Sequence, residues 1–79
     1  MATYSLFWAG YDAGKKFAME NPNPIPSPAL SPTWEDFEAN CRFLLKPETA
    51  FMAAIHEGYN RAIMDAMHWL WDNAHWKPA

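Results

Sequence analysis

Two histidines and a carboxylate near the end of the chain have a spacing that could bind a metal ion. His68, Asp72 and His75 follow one another at i, i+4 and i+7, which places all three on one face of a helix. Imidazole and carboxylate groups one turn apart can ligate zinc or another divalent ion. One helix rarely completes such a site alone, and no HExxH pattern is present. These residues are therefore a weak metal candidate, and we expect a solvated helix face with no metal and no cofactor.

The single cysteine, Cys41, is the other reactive side chain, and it could be a nucleophile only beside a base. It lies in an apolar stripe with Phe37 and Leu44, which is typical of a small buried hydrophobic residue. The sequence shows no Ser/His/Asp order and no glycine-rich phosphate loop, and Lys15-Lys16 is its one basic pair. We therefore expect no enzymatic activity.

Tryptophans are concentrated at the end of the chain. On a helix, Trp69 and Trp76 share a face while Trp71 points away by roughly 160°, so one small core can hardly hold all three. Exposed tryptophans mixed with His and Asp are typical of protein-binding hot spots, although the rings could instead close a small core from several sides. The residues that we expect to contact a partner are Trp69, Trp71, Trp76 and His75, with Glu57, Arg61 and Asp65 as a polar rim.

Hydrophobic periodicity predicts that three helices position these residues, at about 3–20, 32–45 and 47–75. Prolines at 22, 24, 26, 28 and 32 exclude a helix or central strand over 21–32, so we expect an extended, stiff connector there. Ser31 as N-cap with Pro32 at N1 starts the second helix, and Pro47 opens the third in the same way. The predicted fold is an all-α three-helix bundle forming one domain over residues 1–79.

The first and third helices carry the same ladder of small residues. Aligning residues 7–19 with 55–67 pairs glycine with glycine and tyrosine with tyrosine at a constant offset. Small residues every four positions let two helix backbones approach closely, so we expect the two helices to pack through these faces, or identical ladders to pair between two protomers. The residues of this predicted seam are Gly10, Tyr11, Gly14, Ala18, Gly58, Tyr59, Ala62 and Ala66.

Length and charge limit the class of partner. A chain of 79 residues buries only roughly 60% of its unfolded surface, so a partner or a homodimer would supplement its thin core. A net charge of −3 has the wrong sign for binding a phosphate backbone. The start lacks a positive n-region, no segment has the ~20 apolar residues of a membrane span, and no cysteine can pair within the chain. We expect a cytoplasmic protein that binds neither membrane nor nucleic acid directly.

In type, the chain resembles the small proteins encoded by bacteriophages. The features that carry this resemblance are the short length, the Gly-Tyr-x-x-Gly helix at Gly10, Tyr11 and Gly14, its counterpart Gly58-Tyr59, and the tryptophan-rich end. Phage proteins of matching size and helical character include the host-defence inhibitors, among them anti-CRISPR proteins. The resemblance implies a stoichiometric inhibitor that docks on a host nuclease or CRISPR surveillance complex and blocks DNA access or nuclease recruitment. A self-associating structural subunit and a divalent-metal-binding protein are the alternatives.

Overall fold

The computed structural model describes the backbone of residues 2–47 and 49–76 and the side chains of residues 5–47 and 49–74. This part of the chain contains three α-helices: α1 spans Ala2–Ala18, α2 spans Trp34–Cys41 and α3 spans Ala53–Trp76. No strand occurs in these residues. The prediction of an all-α, three-helix fold is confirmed.

The first helix ends just before the proline-rich connector. Lys15 and Lys16 occupy its last turn, where positive charge interacts favourably with the helix dipole. The Met19 amide is shared between the carbonyls of these two lysines, at 3.1 and 3.2 Å. Residues 21–27 then contain no helix, as the prolines predict, and the Asn21-Pro22 peptide bond is cis.

The connector is fastened to the rest of the domain at a few points. The Asn23 side chain accepts a hydrogen bond from the Ile25 amide at 2.8 Å, and Ile25 is buried. A short 3₁₀ turn over Pro28–Leu30 is capped by the Ser27 hydroxyl and buries Pro28. Leu30, in contrast, is 76% exposed. Ile25 and Pro28 therefore anchor the connector.

The second helix begins later than the sequence pattern indicates. Its N-cap is Thr33, whose hydroxyl accepts a hydrogen bond from the Asp36 amide at 3.2 Å and donates to the Asp36 carboxylate at 2.9 Å. Ser31 is buried, and its hydroxyl accepts a hydrogen bond from the Asn40 side chain at 2.9 Å. The predicted helix start at Ser31 and Pro32 is therefore wrong, because the Ser31 hydroxyl joins the connector to α2 instead of capping it.

The third helix begins at Ala53 and not at residue 47. The Asn60 side chain accepts from the Lys46 amide and donates to the Lys46 carbonyl, both at 2.8 Å. A ring nitrogen of His56 lies 2.8 Å from the Pro47 carbonyl oxygen. Side chains within α3 thus bind the Lys46 and Pro47 carbonyls, which a helix starting at residue 47 would use as its first acceptors, and the predicted start is wrong.

The hydrophobic core lies between α2, the connector, the end of α1 and the middle of α3. A 3₁₀ turn over Arg42–Leu44 continues α2 and buries Leu44. Burial of each large apolar side chain contributes about 1.5–3 kcal/mol, so this cluster supplies much of the stability of a small domain. The largest fully buried side chains are Phe37, Cys41, Ile63 and Met67.

The first and third helices run parallel and make the most extensive contact between any two elements. Close approaches progress along both helices in the same direction, from Phe7 against Gly58 to Gly14 against Ala62. The connector and α2 lead the chain back to the end of the domain where α1 begins, so α3 starts at the same end as α1. The resulting body is elongated, with extents of 46 × 19 × 19 Å.

Candidate docking groove between the first and third helices

The seam between α1 and α3 is reciprocal at two glycines. A Cβ atom on Gly10 would collide with the carbonyl oxygen of Ile55, and a Cβ atom on Gly58 would collide with the carbonyl oxygen of Phe7. Glycine inside a helix costs about 1 kcal/mol relative to alanine. Glycine is needed at both positions in spite of this cost, because the backbone of the other helix lies so close that no larger residue fits.

The ladder continues along the same seam with glycine and alanine residues. A Cβ atom on Gly14 would lie 2.6 Å from the Tyr59 carbonyl oxygen and 3.0 Å from the Ala62 Cβ. Ala18 and Ala62 are 4% and 3% exposed, whereas Ala66 is half-buried. The structure thus brings the small residues of both helices together, and it leaves part of the Ala66 surface open.

The two tyrosines of the ladder lie on opposite sides of this seam. The Tyr11 hydroxyl donates to the Asp65 carboxylate at 2.7 Å, and this hydrogen bond raises the pKa of Tyr11 above its usual value. The Tyr59 ring lies against Phe17, with 6.1 Å between ring centroids, and the Lys46 ammonium sits 4.8 Å from the Tyr59 ring centroid. Burial is the main cause that raises the pKa of Tyr59. One flank of the seam is therefore polar and open, and the other belongs to the core.

An apolar groove of about 410 Å³ runs along the Tyr11 flank. Small side chains form its floor, and longer side chains from α1, from the segment after α1 and from α3 form its walls. Met19 is 73% exposed and Trp69 is 64% exposed, so two of the large apolar side chains beside the groove lie mostly in water. The lining residues are Tyr11, Lys15, Ala18, Met19, Asn23, Ala62, Asp65, Ala66, Trp69 and Leu70.

The predicted polar rim is only partly at this groove. Asp65 lines it and accepts hydrogen bonds from Tyr11 and, at 3.3 Å, from Arg61. The Arg61–Asp65 ion pair is an i, i+4 contact with side-chain exposures of 68% and 45%, so it contributes about 0.3–0.5 kcal/mol. Glu57 is exposed but does not line the groove. Lys15 does line it, and its ammonium forms no ion pair with the described residues.

The tryptophans expected to contact a partner are separated by the structure. Trp69 is exposed on the groove wall. Trp71 is half-buried on the other side of α3, where its ring stacks on Phe37 at 5.5 Å and meets Trp34 edge-on at 5.9 Å. We therefore assign Trp71 to the core and leave it out of the docking surface. The side chains of His75 and Trp76 lie outside the described residues.

The candidate metal ligands do not assemble in the part of the chain that the structure describes. The His68 ring stacks on Trp34, with 4.3 Å between centroids and an angle of 16° between planes. Asp72 is exposed, and the His75 side chain is outside the described residues. Among the described side chains, no group of three His, Cys, Asp or Glu residues could hold an ion.

Cys41 lies in the core, with no exposed surface. Burial raises the pKa of its thiol, because the thiolate would lose its hydration there. The thiol therefore behaves as a small apolar group of the core.

Sequence reasoning missed four residues of the groove: Lys15, Met19, Asn23 and Leu70. The signal for Lys15 and Met19 was present, because Lys15 lies on α1 next to Gly14, and Met19 directly follows Ala18, the last residue of α1. The ladder by itself predicts only a closed seam between the two helices. The same ladder also forms the floor of a groove. The two backbones are closest at Gly10 and Gly58, and the small residues Ala18, Ala62 and Ala66 farther along the helices line the groove.

Within residues 2–47 and 49–76, none of the helices combines the length and the hydropathy that a bilayer crossing requires.

Comparisons with known proteins give no relative from which a site could be transferred. No protein-family model, no curated protein and no solved structure matches this chain.

Proposed function

We propose that this chain is a non-enzymatic protein-binding module that docks on a protein partner through the groove between α1 and α3. The observation that carries the proposal is the exposure of Met19 and Trp69 beside an apolar groove. Keeping two large apolar side chains in water forgoes the free energy of burying them, which is about 1.5–3 kcal/mol for a residue such as Met. Contiguous exposed apolar surface of this kind is typical of interaction sites.

Two further features support binding over catalysis. Cys41 is buried, and the described residues do not assemble a metal site. In the network beside the groove, Asp65 accepts hydrogen bonds from Tyr11 and from the Nε of Arg61, and both Asp65 and Arg61 are exposed. These groups are suited to the polar rim of an interface.

We further propose, from the resemblance in size and composition, that the partner is a host nuclease or a CRISPR surveillance complex. The chain then acts as a stoichiometric inhibitor in the cytoplasm of the host cell and blocks DNA access or nuclease recruitment. The net charge of −3 is small for a nucleic-acid mimic, which favours docking through apolar contacts.

The docking proposal is tested by comparing Trp69→Ala with Phe43→Ala. Phe43 is 69% exposed and does not line the groove, so it is a matched control for Trp69. We expect Trp69→Ala to release proteins that the wild-type chain retains from a host lysate at a defined salt concentration, and Phe43→Ala to retain them. Equal retention by the two variants would place the docking surface elsewhere.

The inhibitor proposal needs a separate assay. The purified chain is titrated into a CRISPR surveillance complex that is cleaving target DNA. We expect inhibition to be complete near one chain per complex and to weaken at least about tenfold in Trp69→Ala, as loss of a tryptophan hot spot predicts. Uninhibited cleavage across representative complexes, with docking intact, would refute this assignment of the partner.

A further inference from the structure

The secondary structure around the groove limits the form of its occupant. The groove is lined mainly by α1 and α3, with Met19 and Asn23 from the segment that follows α1, and the described residues contain no strand whose edge could pair with an extended peptide. Addition of a strand to a sheet is therefore not available in this part of the chain. The recognition mode that fits two helical walls is an amphipathic helix laid into the groove.

The size of the groove indicates how much of such a helix it can take. A helix with its side chains is about 10–12 Å across, which is too wide for a groove of about 410 Å³ to enclose. The groove instead has room for a few large side chains from one face. Apolar residues at i, i+3 or i+4 and i+7 would enter it, above the small side chains of Ala62 and Ala66.

The charges beside the groove indicate the polarity of the occupant. Asp65, on the α3 wall, already accepts hydrogen bonds from Tyr11 and Arg61. Lys15, on the α1 wall, is exposed and forms no ion pair with the described residues. The uncompensated charge at the groove is therefore positive, and a carboxylate on the occupant would complement it.

We infer that the groove binds one amphipathic helix of the partner protein, with its apolar face against Met19 and Trp69 and an acidic side chain against Lys15. This inference rests on the proposed function, and it specifies the chemistry of the partner at the same groove.

The test uses a displayed library of helical peptides and three forms of the full chain. Wild-type protein is the first bait. Lys15→Glu reverses the unpaired charge of Lys15. The double variant Met19→Ala/Trp69→Ala removes the two exposed apolar side chains beside the groove. All three substituted side chains are exposed, so the variants should keep the fold, which circular dichroism and thermal melting verify.

We expect peptides selected on wild-type protein to carry apolar residues at helical spacing and an acidic residue beside them. Their affinity should fall at least about tenfold on the double variant, as for loss of hot-spot residues. It should fall about two- to fivefold on Lys15→Glu, as for loss of an exposed ion pair, and this second effect should shrink at high salt. Replacing the peptide carboxylate with lysine should restore binding to Lys15→Glu.

The other outcomes separate this inference from the proposed function. Peptides that need the apolar walls but lack helical spacing or an acidic residue would overturn the inference and leave the docking groove in place. Peptides that bind the double variant as well as wild type would overturn both. A concentration-dependent dimer in sedimentation that the double variant abolishes would make a second copy of this chain the occupant, and would also overturn the inference.

Discussion

Tyr11 and Tyr59 occupy equivalent positions in two parallel helices, yet they make different contacts across the seam. Each ring reaches across the seam toward the other helix. Tyr11 meets Asp65, whereas Tyr59 meets Phe17, and these two neighbours are also equivalent in the ladder. One pair is polar and the other is apolar. The groove lies on the flank of the polar pair, and the core covers the flank of the apolar pair.

The first prediction compares phenylalanine substitutions at the two tyrosines. Tyr11→Phe removes the hydroxyl that donates to Asp65, and we expect it to lower the free energy of unfolding by about 0.5–1.5 kcal/mol. The Tyr59 hydroxyl has no hydrogen-bond partner among the described residues, and a phenylalanine would keep the ring contacts with Phe17 and Lys46. Tyr59→Phe should therefore be nearly neutral. Urea denaturation of both variants makes the measurement, and an equal loss in both would contradict it.

The second prediction concerns the backbone approach at the seam. At an exposed helix position, replacing glycine with alanine stabilises by up to about 1 kcal/mol. At Gly10 the added Cβ would collide with the Ile55 carbonyl oxygen, so we expect Gly10→Ala to cost a net 1–3 kcal/mol, roughly the range for overpacking.

The control for Gly10 lies on the same helix. Ala13 is exposed, and Ala13→Gly should lose only the difference in helix propensity, about 1 kcal/mol. Together, the two variants separate the propensity of α1 from the closeness of the seam. If Gly10→Ala raises the midpoint of urea unfolding, the two backbones do not approach each other as described.

The third prediction separates the two tryptophans. Trp71 stacks on Phe37, so Trp71→Ala should cost about 2–4 kcal/mol through lost burial and a cavity. Trp69 is 64% exposed, and Trp69→Ala should change the free energy of unfolding by less than about 0.5 kcal/mol. Chemical denaturation of the two single variants measures the difference. A large loss in Trp69→Ala would mean that this ring belongs to the core and would remove it from the docking surface.

Local patterns were sufficient for the helices but not for all of their ends. The apolar stripes predicted three helices, and the prolines predicted the break after α1. The start of α3 depends on Asn60 and His56, whose side chains bind backbone groups at residues 46 and 47. Such hydrogen bonds join residues that are distant in sequence, and hydrophobic periodicity does not report on them.

The sequence predicts which residues of the candidate site share a helix face, but not how the helices pack to form the groove. Helical spacing placed Trp69 and Trp71 on opposite faces, as the structure shows, but it could not tell which of them faces the core. That depends on where α2 packs, which follows from the Trp34 and Phe37 contacts with Trp71. The groove also requires α1 and α3 to run parallel, a relationship set by the path of the whole connector.

The fourth prediction tests the observed start of α2. Thr33→Ala removes the hydroxyl that accepts from the Asp36 amide, and loss of such an N-cap costs about 1 kcal/mol. Thr33→Ser keeps an equivalent hydroxyl and should keep most of the stability. Thermal unfolding of the two variants is the measurement. Equal melting temperatures for Thr33→Ala and Thr33→Ser would show that this hydroxyl does not stabilise the helix.

The last prediction is a loss of stability at alkaline pH. Folding raises the pKa of Cys41 by burial, and it raises the pKa of Tyr11 chiefly through the hydrogen bond to Asp65. In the unfolded chain the thiol ionises near its ordinary value of 9.0, whereas in the folded protein it keeps its proton to higher pH. Above that value the unfolded state binds fewer protons than the folded state, so the free energy of unfolding falls as pH rises.

Cysteine ionises before tyrosine in the unfolded chain, so Cys41 should cause the first part of this loss, between about pH 8 and 10. Cys41→Ala lowers stability at every pH because it removes buried volume. Over this interval, however, its free energy of unfolding should depend less on pH than that of wild type. Tyr11→Phe should flatten the curve only at higher pH. Urea titrations at a series of pH values give the three curves. A wild-type curve that is level through pH 10, or that keeps its slope in Cys41→Ala, would show that the thiol is not protected from ionisation in the folded core.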